Sequence, residues 1–222
     1  MTIDLERRGI LVVVSSPSGG GKTTVIYEVL KKVDNLEYSI SATSRPPRPG
    51  EKHGNNYFFV SEAEFRRMIE DEKFYEWAWV HEHLYGTPKK PIIEKLSQGR
   101  DVIMDVDVQG ALNIKRFFPE SVHIFILPPS MNELEKRLSS RKQDTREEID
   151  KRLENAIEEM SYAEKYDYLI LNDTVVRAAA EIEIIITAER LRTTRQRISY
   201  DNEPKLKEVM KRLEEEAEAE RE

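Results

Sequence analysis

The segment that decides the fold is ILVVVSSPSGGGKTTV, residues 10–25, in which five apolar residues precede three consecutive glycines and a Lys-Thr-Thr triplet. The apolar run from Ile10 to Val14 does not alternate with polar residues, which is typical of a parallel strand covered on both faces. From Val25 onward, valines recur at every fourth position, and this spacing predicts a helix. The sequence therefore predicts a buried strand, a glycine-rich turn and a helix in direct succession.

The turn between this strand and this helix predicts a phosphate-binding loop, or P-loop. Glycines allow several backbone N–H groups to point inward at the positive end of a helix dipole. Lys22 can reach β- and γ-phosphate oxygens, and Thr23 offers a hydroxyl to Mg²⁺. The motif G-x-x-x-x-G-K-[ST] lacks its first glycine, because Ser16 stands there. The alternative is a glycine-rich surface loop, which the flanking strand and helix disfavour.

Composition excludes several classes of protein. The 222 residues include no cysteine, so disulfides and thiolate catalysis are excluded. A net charge of −7 argues against a dedicated nucleic-acid-binding protein. The longest apolar runs have about five residues, whereas a transmembrane helix needs about 20, and no signal-peptide pattern precedes the first strand. We expect a cytoplasmic protein of one domain, with neither nucleic-acid nor membrane partners.

Strands alternate with helices along most of the chain, which predicts an α/β fold with a parallel sheet flanked by helices, of the P-loop NTPase type. Capping boxes at Ser130 and Thr145 predict two helix starts, and the second helix is expected to continue to about residue 165. A late strand, YDYLILN, precedes a helix predicted from Val175 to Arg195. We divide the chain into a core at about 9–41, 91–130 and 153–198, an insertion at about 42–90, a lid at about 131–152 and a C-terminal helical extension at 199–222.

The insertion at residues 42–90 is expected to be small and partly β. Three prolines within residues 46–49 exclude both a helix and a central strand there. The segments NYFFV and FYEWAWVHE have β character, and a capping box at Ser61 predicts a short helix between them. We expect Trp77 and Trp79 to pack within the insertion.

The polar segment SSRKQDTREEIDKR, residues 139–152, joins two predicted helices. A solvated connection is the simplest interpretation of such a segment. Arg137, Arg141 and Arg152 lie in or beside it, however, in a chain that already has a phosphate-binding loop. We therefore predict a cationic lid over that loop.

A second anion site is predicted on the proline-rich turn. Arg45 and Arg48 lie three residues apart, where a rigid backbone holds guanidinium groups that suit a phosphate. Tyr57 and Tyr85 could each donate a hydroxyl to the same anion. In the alternative interpretation the arginines are surface charges and the tyrosines are core aromatics.

Four segments resemble the guanylate kinase family, in the family's order. They are SSPSGGGKTT at the P-loop, SATSRPPRPGEKHGNNYFFVS, FYEWAWVHEHLYGT and IMDVDVQG, and the resemblance runs from about Ile10 to Arg195. It implies ATP-dependent phosphorylation of GMP to GDP, and of dGMP to dGDP, with ADP as the other product, in purine nucleotide metabolism. It also implies Mg²⁺ as cofactor and an insertion that binds the nucleoside monophosphate. The implied ATP-binding residues are Ser18, Gly19, Gly20, Gly21, Lys22, Thr23, Thr24 and Asn172, the last near the adenine.

The chemistry of guanine agrees with the residues that the resemblance assigns to GMP. Guanine presents donors at N1 and N2 and an acceptor at O6, so its pocket needs a carboxylate and a hydroxyl. Glu76 matches the family's guanine-binding glutamate, and Ser41 and Thr87 match its hydroxyl positions. The implied GMP-binding residues are Ser41, Arg45, Arg48, Tyr57, Glu76, Tyr85, Thr87 and Asp107.

Two aspartates in IMDVDVQG, Asp105 and Asp107, are two residues apart on a predicted strand and would face the same side near its carboxyl end. Acidic residues on an otherwise apolar strand are costly unless they meet cations or donors. We assign Asp105 to the Mg²⁺ shell, with Thr23, or to the acceptor-phosphate network. We assign Asp107 to the guanine edge, although the two roles could be exchanged.

Phosphoryl transfer requires in-line positioning and neutralised charge, without a covalent intermediate. By resemblance, Arg137 and Arg141 close over ATP and Arg152 reaches the transferring group. The predicted catalytic residues are Lys22, Arg45, Arg137, Arg141, Arg152 and Asp105.

Two other functions remain as alternatives. One is a non-catalytic protein-binding module that resembles guanylate kinase, but such modules tend to lack the P-loop lysine and the lid arginines that this chain has. The other is a P-loop kinase with a sugar-phosphate acceptor, which would leave Ser41, Glu76 and Thr87 without a purpose. The oligomeric state is left open between monomer and homodimer. Pro204 can stand in a first helical turn, and the apolar stripe after it predicts an amphipathic helix within residues 203–222 that docks on the core or on a second subunit. The alternative is that this segment is disordered.

Overall fold

A computed structural model of the chain describes residues 4–80, 82–139, 146–199 and 204–219. The strands, in chain order, are β1 (Asp4–Arg7), β2 (Leu11–Ser15), β3 (Leu36–Tyr38), β4 (Ala42–Thr43), β5 (Phe58–Phe59), β6 (Phe74–Val80), β7 (His83–Pro88), β8 (Asp101–Asp105), β9 (Val122–Leu127), β10 (Tyr168–Leu171) and β11 (Gln196–Ser199). The helices are α1 (Lys22–Lys32), α2 (Glu62–Glu70), α3 (Lys89–Ser97), α4 (Val108–Phe117), α5 (Met131–Ser139), α6 (Arg146–Ser161), α7 (Val175–Arg190) and α8 (Pro204–Ala219).

The central sheet has five strands in the order β10-β9-β2-β8-β3, and all of its pairings are parallel. Strand β2 lies in the middle and is completely buried. The predicted parallel sheet flanked by helices is therefore confirmed. Because the P-loop follows the central strand, it lies at the carboxyl edge of the sheet, where neighbouring strands can supply further side chains.

Alternate residues of β2 pack into two hydrophobic layers, one on each face of the sheet. Val12 and Val14 contact the layer that includes Val25 and Val29 of α1 together with residues of α7. Val13 packs in the other layer, with residues of α3 and α4. The uninterrupted apolar run seen in the sequence is thus explained by burial on both faces.

Residues 42–88 form a second, four-stranded sheet in the order β5-β4-β7-β6, accompanied by α2. Its small core includes Phe65 and Phe74, whose rings stack at a centroid distance of 4.4 Å. The predicted cap of α2 is confirmed, because Ser61 Oγ accepts a hydrogen bond from the backbone of Glu64. The division of the chain into core, insertion and lid stays a prediction.

The packing predicted for the two tryptophans of β6 is wrong. Trp77 is 49% exposed and Trp79 is 52% exposed. Strand β6 is an edge strand, and a register shift between Phe74 and Trp77 interrupts the alternation of its side chains. As a result Phe74 and Tyr75 are both buried, while the strand beyond the shift is exposed.

The predicted lid, about residues 131–152, covers α5 and the first part of α6. We call α5 and α6 together the lid region; they pack against each other through Leu134, Leu138, Ile149 and Ala156. The capping box at Ser130 is confirmed by a hydrogen bond to its side chain from the Glu133 backbone. Arg141 and the capping box predicted at Thr145 lie outside the described residues. Helix α6 ends at Ser161, and residues 163–165 form a separate short 3₁₀ helix.

Helix α7 ends at Arg190, five residues earlier than predicted. The side chain of Gln196 donates to the Arg190 carbonyl at 2.9 Å, which satisfies an acceptor at the helix end. Strand β11 then pairs antiparallel with β1, a pairing that the sequence analysis missed.

The C-terminal extension forms α8, which begins at Pro204 as the sequence predicts. Val209 is 42% exposed and Leu213 is 47% exposed, so the described part of the apolar stripe is largely uncovered. Across residues 4–80, 82–139, 146–199 and 204–219, the helices all lack the length or the hydropathy that a membrane-spanning helix requires.

Candidate active site

The P-loop, which connects β2 to α1, forms one wall of a cleft of about 380 Å³ that Asp107, Arg137 and Glu159 also line. Gly19 and Gly21 have φ angles of 84° and 87°, a conformation that L side chains rarely adopt. A Cβ on Gly21 would also lie 2.6 Å from Asn172 Nδ2. The glycines are thus required both by backbone conformation and by close packing. The cleft brings together all seven predicted P-loop residues, which are Ser18, Gly19, Gly20, Gly21, Lys22, Thr23 and Thr24.

Lys22 begins α1 and points across the cleft toward the end of β8. Its Nζ donates to the Val106 carbonyl at 3.0 Å and lies 3.6 Å from Asp105 Oδ2. Burial lowers the pKa of Lys22, and the carboxylates of Asp105 and Asp107 partly oppose this effect. A partly buried ammonium group next to carboxylates is thus available to meet an anionic ligand.

The two aspartates do not share a strand, as was predicted, because β8 ends at Asp105. Asp107 is the N-cap of α4, and its Oδ1 accepts from the Gly110 backbone at 2.7 Å. The rule that residues two apart share a face therefore does not apply to this pair. Asp105 accepts a hydrogen bond from the Tyr38 hydroxyl, a partner that the sequence analysis did not identify.

Glu76 and Thr87 meet on neighbouring strands of the second sheet. Thr87 Oγ1 donates to Glu76 Oε1 at 2.5 Å, and Thr87 is only 3% exposed. Burial raises the pKa of Glu76. A Cβ on Gly110 would lie 3.5 Å from Glu76 Cγ and 3.3 Å from Asp107 Oδ1, so both carboxylates lie close to the first turn of α4. Ser41 is partly buried and its carbonyl accepts from the Phe58 backbone.

Three of the four side chains predicted to bind an anion, those of Arg45, Tyr57 and Tyr85, form a cluster. Arg45 Nε lies 3.3 Å from the Tyr85 hydroxyl, and its guanidinium lies 5.6 Å from the centre of the Tyr57 ring. Glu51 is the counter-ion that sequence reasoning missed, because its Oε1 lies 2.9 Å from Arg45. Its second oxygen accepts from the backbone of Arg48, whose side chain is exposed. Glu51 could have been suspected from its position six residues after Arg45 in the same turn.

The three arginines predicted for the lid do not lie together in the structure. Arg137 of α5 lines the P-loop cleft, and its Nε lies 3.3 Å from Glu133 of the same helix. Arg152 lies on α6 and is partly buried, whereas Arg141 is outside the described residues. Asn172 is 2% exposed, and its Nδ2 donates to the Gly20 carbonyl at 2.8 Å. Asn172 therefore supports the P-loop, and its contact with adenine stays a prediction.

Another side chain of the cleft was missed by the sequence analysis. Glu159, near the end of α6, accepts a hydrogen bond from the Ser18 backbone at 3.1 Å. Burial raises the pKa of Glu159, while the bond from Ser18 and the charge of Lys22 oppose that shift. The sequence offered no signal for it, because Glu159 is one of many glutamates on a charged helix.

Comparison with known proteins assigns this arrangement to a family. A sequence profile described as guanylate kinase matches residues 8–189 of the chain. The chain belongs to the guanylate kinase family. The resemblance expected from the four sequence segments is therefore confirmed, and as a member of the guanylate kinase family the protein is an enzyme, a phosphotransferase that acts on a nucleotide.

The relatives that support this guanylate kinase assignment match over most of their length. Guanylate kinase of Caldanaerobacter subterraneus subsp. tengcongensis is 49% identical over 198 residues, which is 89% of this chain and 96% of the relative. Guanylate kinase of Carboxydothermus hydrogenoformans is 48% identical and covers 85% of this chain and 92% of its own length. The crystal structure of guanylate kinase from Anaplasma phagocytophilum superposes with a TM-score of 0.68 at 36% identity, covering 87% of this chain and 92% of that one.

The cavity with the largest volume described here lies away from the P-loop cleft. A cavity of about 740 Å³ is lined by residues of α2 and α3, among them Met68 and Ile93. It contains none of the predicted nucleotide-binding residues. The smaller P-loop cleft has the lysine, the hydroxyls and the backbone N–H groups that nucleotide phosphates require.

Proposed function

We propose that the protein transfers the γ-phosphoryl group of ATP to GMP, and to dGMP, and releases GDP or dGDP together with ADP. None of the predicted GMP contacts involves the ribose 2′-hydroxyl, which is why we include dGMP. We further propose that it does so in purine nucleotide metabolism in the cytoplasm, as a monomer or a homodimer. The observation that carries the proposal is the presence of two side-chain clusters of different chemistry, each with a cationic group. One is the P-loop cleft at Lys22, and the other is the Arg45 cluster beside the Glu76–Thr87 pair.

Guanine specificity is assigned to the Glu76–Thr87 pair, with Ser41 and Asp107 nearby. Glu76 has acceptor capacity left after its bond from Thr87 Oγ1, and the guanine N1 and N2 donors can use it. The Ser41 hydroxyl can donate to the O6 acceptor, and the Thr87 hydroxyl can do so once its hydrogen turns from Glu76 to O6. Adenine has no N1 proton and carries a donor in place of O6, so the carboxylate would face a lone pair. This mismatch is expected to cost adenine a few kcal/mol, in the way that unpaired polar groups discriminate between substrates.

The phosphate of GMP is assigned to Arg45, Arg48, Tyr57 and Tyr85. Arg45 is held by Glu51 and by the Tyr85 hydroxyl, so its guanidinium is positioned before the ligand arrives. Arg48 is exposed on the same turn and can reach an anion from the solvent side. Planar guanidinium groups suit bidentate binding of phosphate oxygens.

The transfer step requires charge neutralisation between the two sites. Lys22 supplies a cation from the P-loop side, and Arg137, Arg141 and Arg152 are assigned to the lid side. Mg²⁺ fits the donor set of Thr23 and Asp105, because this ion favours one or two carboxylates or hydroxyls together with phosphate oxygens and water. When bound, Mg²⁺ would neutralise charge on the β- and γ-phosphates of ATP. Asp105 is kept in place by the Tyr38 hydroxyl and lies opposite Lys22.

A purely protein-binding role is less well supported by the same residues. Lys22 and Arg137 both line the P-loop cleft, where a module without catalysis would have no use for them. The named relatives at 49% and 48% identity are kinases by description.

The proposed reaction is tested by the variant Lys22→Ala, measured by coupled detection of ADP with GMP as acceptor. Removing a charge that stabilises the transition state is expected to lower kcat by roughly a hundredfold or more. The matched control is Lys31→Ala at the other end of α1, where the side chain is exposed and pairs only with Glu28 among the described residues. Turnover of Lys22→Ala close to that of Lys31→Ala would contradict the assignment.

A further inference from the structure

Both helices of the lid region rest on the first two residues of the glycine-rich turn. A Cβ on Gly19 would lie 3.0 Å from Leu138 Cδ2 and 3.1 Å from Leu134 Cδ1, so α5 packs directly on that glycine. The adjacent residue, Ser18, donates its backbone N–H to Glu159 Oε2 of α6 at 3.1 Å. The base of the lid and the start of the P-loop are therefore joined by one apolar contact and one hydrogen bond.

The position of Glu159 is unfavourable from the viewpoint of nucleotide binding alone. Its carboxylate lines the same cleft as Lys22, Thr23 and Asp107, where phosphates are expected to bind. Burial raises the pKa of Glu159, so desolvation of the charged form opposes placing a carboxylate there. The adjacent Glu158, by contrast, is exposed. A carboxylate beside a phosphate site would repel ATP, and its burial opposes stability. The bond of Glu159 to the Ser18 backbone therefore explains its position better than a contribution to stability or to ATP affinity does.

The spacing along α6 connects this contact to the lid arginine. Arg152 and Glu159 are seven residues apart on one helix, which places them on the same face about 10 Å apart along the axis. A helix moves as a rigid element, so a fixed point at Glu159 limits the positions that Arg152 can reach. Ile149 and Ala156 of α6 pack against α5 and make the two helices move together.

We propose that Glu159 is a positioning residue. Its hydrogen bond to Ser18 is the fixed point, or fulcrum, about which α5 and α6 turn when the lid closes, and this closure brings Arg152 to the transferring phosphoryl group. The inference rests on the proposed function, because it assigns a role in phosphoryl transfer. Glu159 touches neither substrate in this scheme. It acts by fixing where α6 lies relative to the P-loop, and the charge-assisted bond provides more rigidity than a neutral one would.

The kinetic test compares Glu159→Ala, Glu159→Gln and the control Glu158→Ala. Glu159→Ala should lower kcat at least tenfold and leave the KM for GMP within about twofold, because the GMP site is on the second sheet. Glu159→Gln keeps an oxygen that accepts from Ser18 and should recover most of the lost rate. Glu158→Ala should match the parent. An unchanged kcat in Glu159→Ala, or no recovery in Glu159→Gln, would overturn the proposal. A higher kcat would also overturn it, since the carboxylate would then be a competitor of the ATP phosphates.

The second test measures the lid directly and uses the absence of cysteine from the chain. Spin labels attached at Glu154→Cys on α6 and Val176→Cys on α7, both exposed positions, report the distance from α6 to α7, the helix that packs against α1. Without nucleotide, the parent should give a narrow distance distribution and Glu159→Ala a broader one. Identical distributions would overturn the fulcrum even if kcat fell. If the unmutated protein did not phosphorylate GMP, the proposed function itself would be refuted. Failure of the fulcrum and failure of the proposed function can therefore be distinguished.

Discussion

The substitution Glu76→Gln tests guanine recognition with little change in volume. Glu76 Oε1 accepts from Thr87 Oγ1, and an amide oxygen can retain that bond, so the strand pair β6–β7 should stay intact. The amide group, however, presents an N–H₂ where the carboxylate presented a second acceptor. One guanine donor would then face another donor in a partly buried site.

The expected magnitude follows from that unpaired donor. Leaving one polar group of a buried site unsatisfied costs about 2 to 3 kcal/mol, which corresponds to a fall of roughly 30- to 150-fold in kcat/KM for GMP. The KM for ATP should change by less than about twofold, because the P-loop cleft does not include Glu76. A coupled ADP assay with each substrate varied in turn measures both quantities.

The matched control is Glu70→Gln, which removes a charge from an exposed position of α2 in the same sheet-and-helix unit. It should leave both constants unchanged. Equal losses for GMP and ATP in Glu76→Gln would refute the reasoning, because they would show that Glu76 acts through folding. A loss of less than threefold for GMP would show that the carboxylate does not meet guanine.

Three further outcomes are expected for stability. Asp101 is completely buried and accepts from Arg7, from Arg190 at 2.7 Å and from the Ile10 backbone at 2.8 Å, so Asp101→Asn should lower the free energy of unfolding by about 3 kcal/mol in urea titrations; a change below 1 kcal/mol would contradict a role for the charge. Burial lowers the pKa of His123 to about 4, so the unfolded chain takes up a proton first as the pH falls below about 6.5. The free energy of unfolding should therefore decrease by about 3 kcal/mol between pH 7 and pH 4, and that of His123→Gln should decrease less. Equal pH dependence of the melting temperatures of the two proteins would exclude this contribution of His123. Deletion of residues 203–222 should leave GMP phosphorylation intact while lowering the melting temperature or changing the elution volume, and loss of activity in a folded truncated protein would show that part of the site had been misplaced.

The sequence correctly predicted those parts of the fold in which a single physical requirement determines the local structure. The run before the P-loop is apolar without alternation because both faces of β2 are buried. The glycines at 19 and 21 are required by their positive φ angles. Each of these local patterns has few structural solutions, so the pattern determines the structure.

Other features depended on contacts between distant parts of the chain and could not be predicted. The strand β11 exists because β1 is available to pair with it, almost 190 residues earlier in the sequence. The chain turns into α4 directly after β8, so Asp107 caps a helix where a strand was expected. Trp77 and Trp79 are exposed because both faces of the edge strand β6 are uncovered beyond its register shift, and no residue in the sequence marks that shift.

Part of the candidate site was equally inaccessible to sequence reasoning. Glu159 and Tyr38 carry no motif, and each was recognised only through the group that it contacts. Tyr38 contacts Asp105 across 67 positions of the chain, and Glu159 contacts Ser18 across 141. Polar partners at such separations are set by the tertiary fold and leave no periodic signal.

Our central claim is that the protein uses ATP to phosphorylate GMP through a guanine-specific site. Comparing the rates for different acceptor nucleotides tests this claim most directly. The full chain is incubated with Mg²⁺ and ATP and with GMP, dGMP, AMP, CMP or UMP, and ADP formation is measured for each. Guanine nucleotides should be phosphorylated, with kcat/KM for GMP at least a hundredfold above that for AMP, if the Glu76–Thr87 pair forms the guanine site that we propose. Comparable rates with AMP or with a pyrimidine nucleotide, or no ADP formation with GMP, would contradict the account.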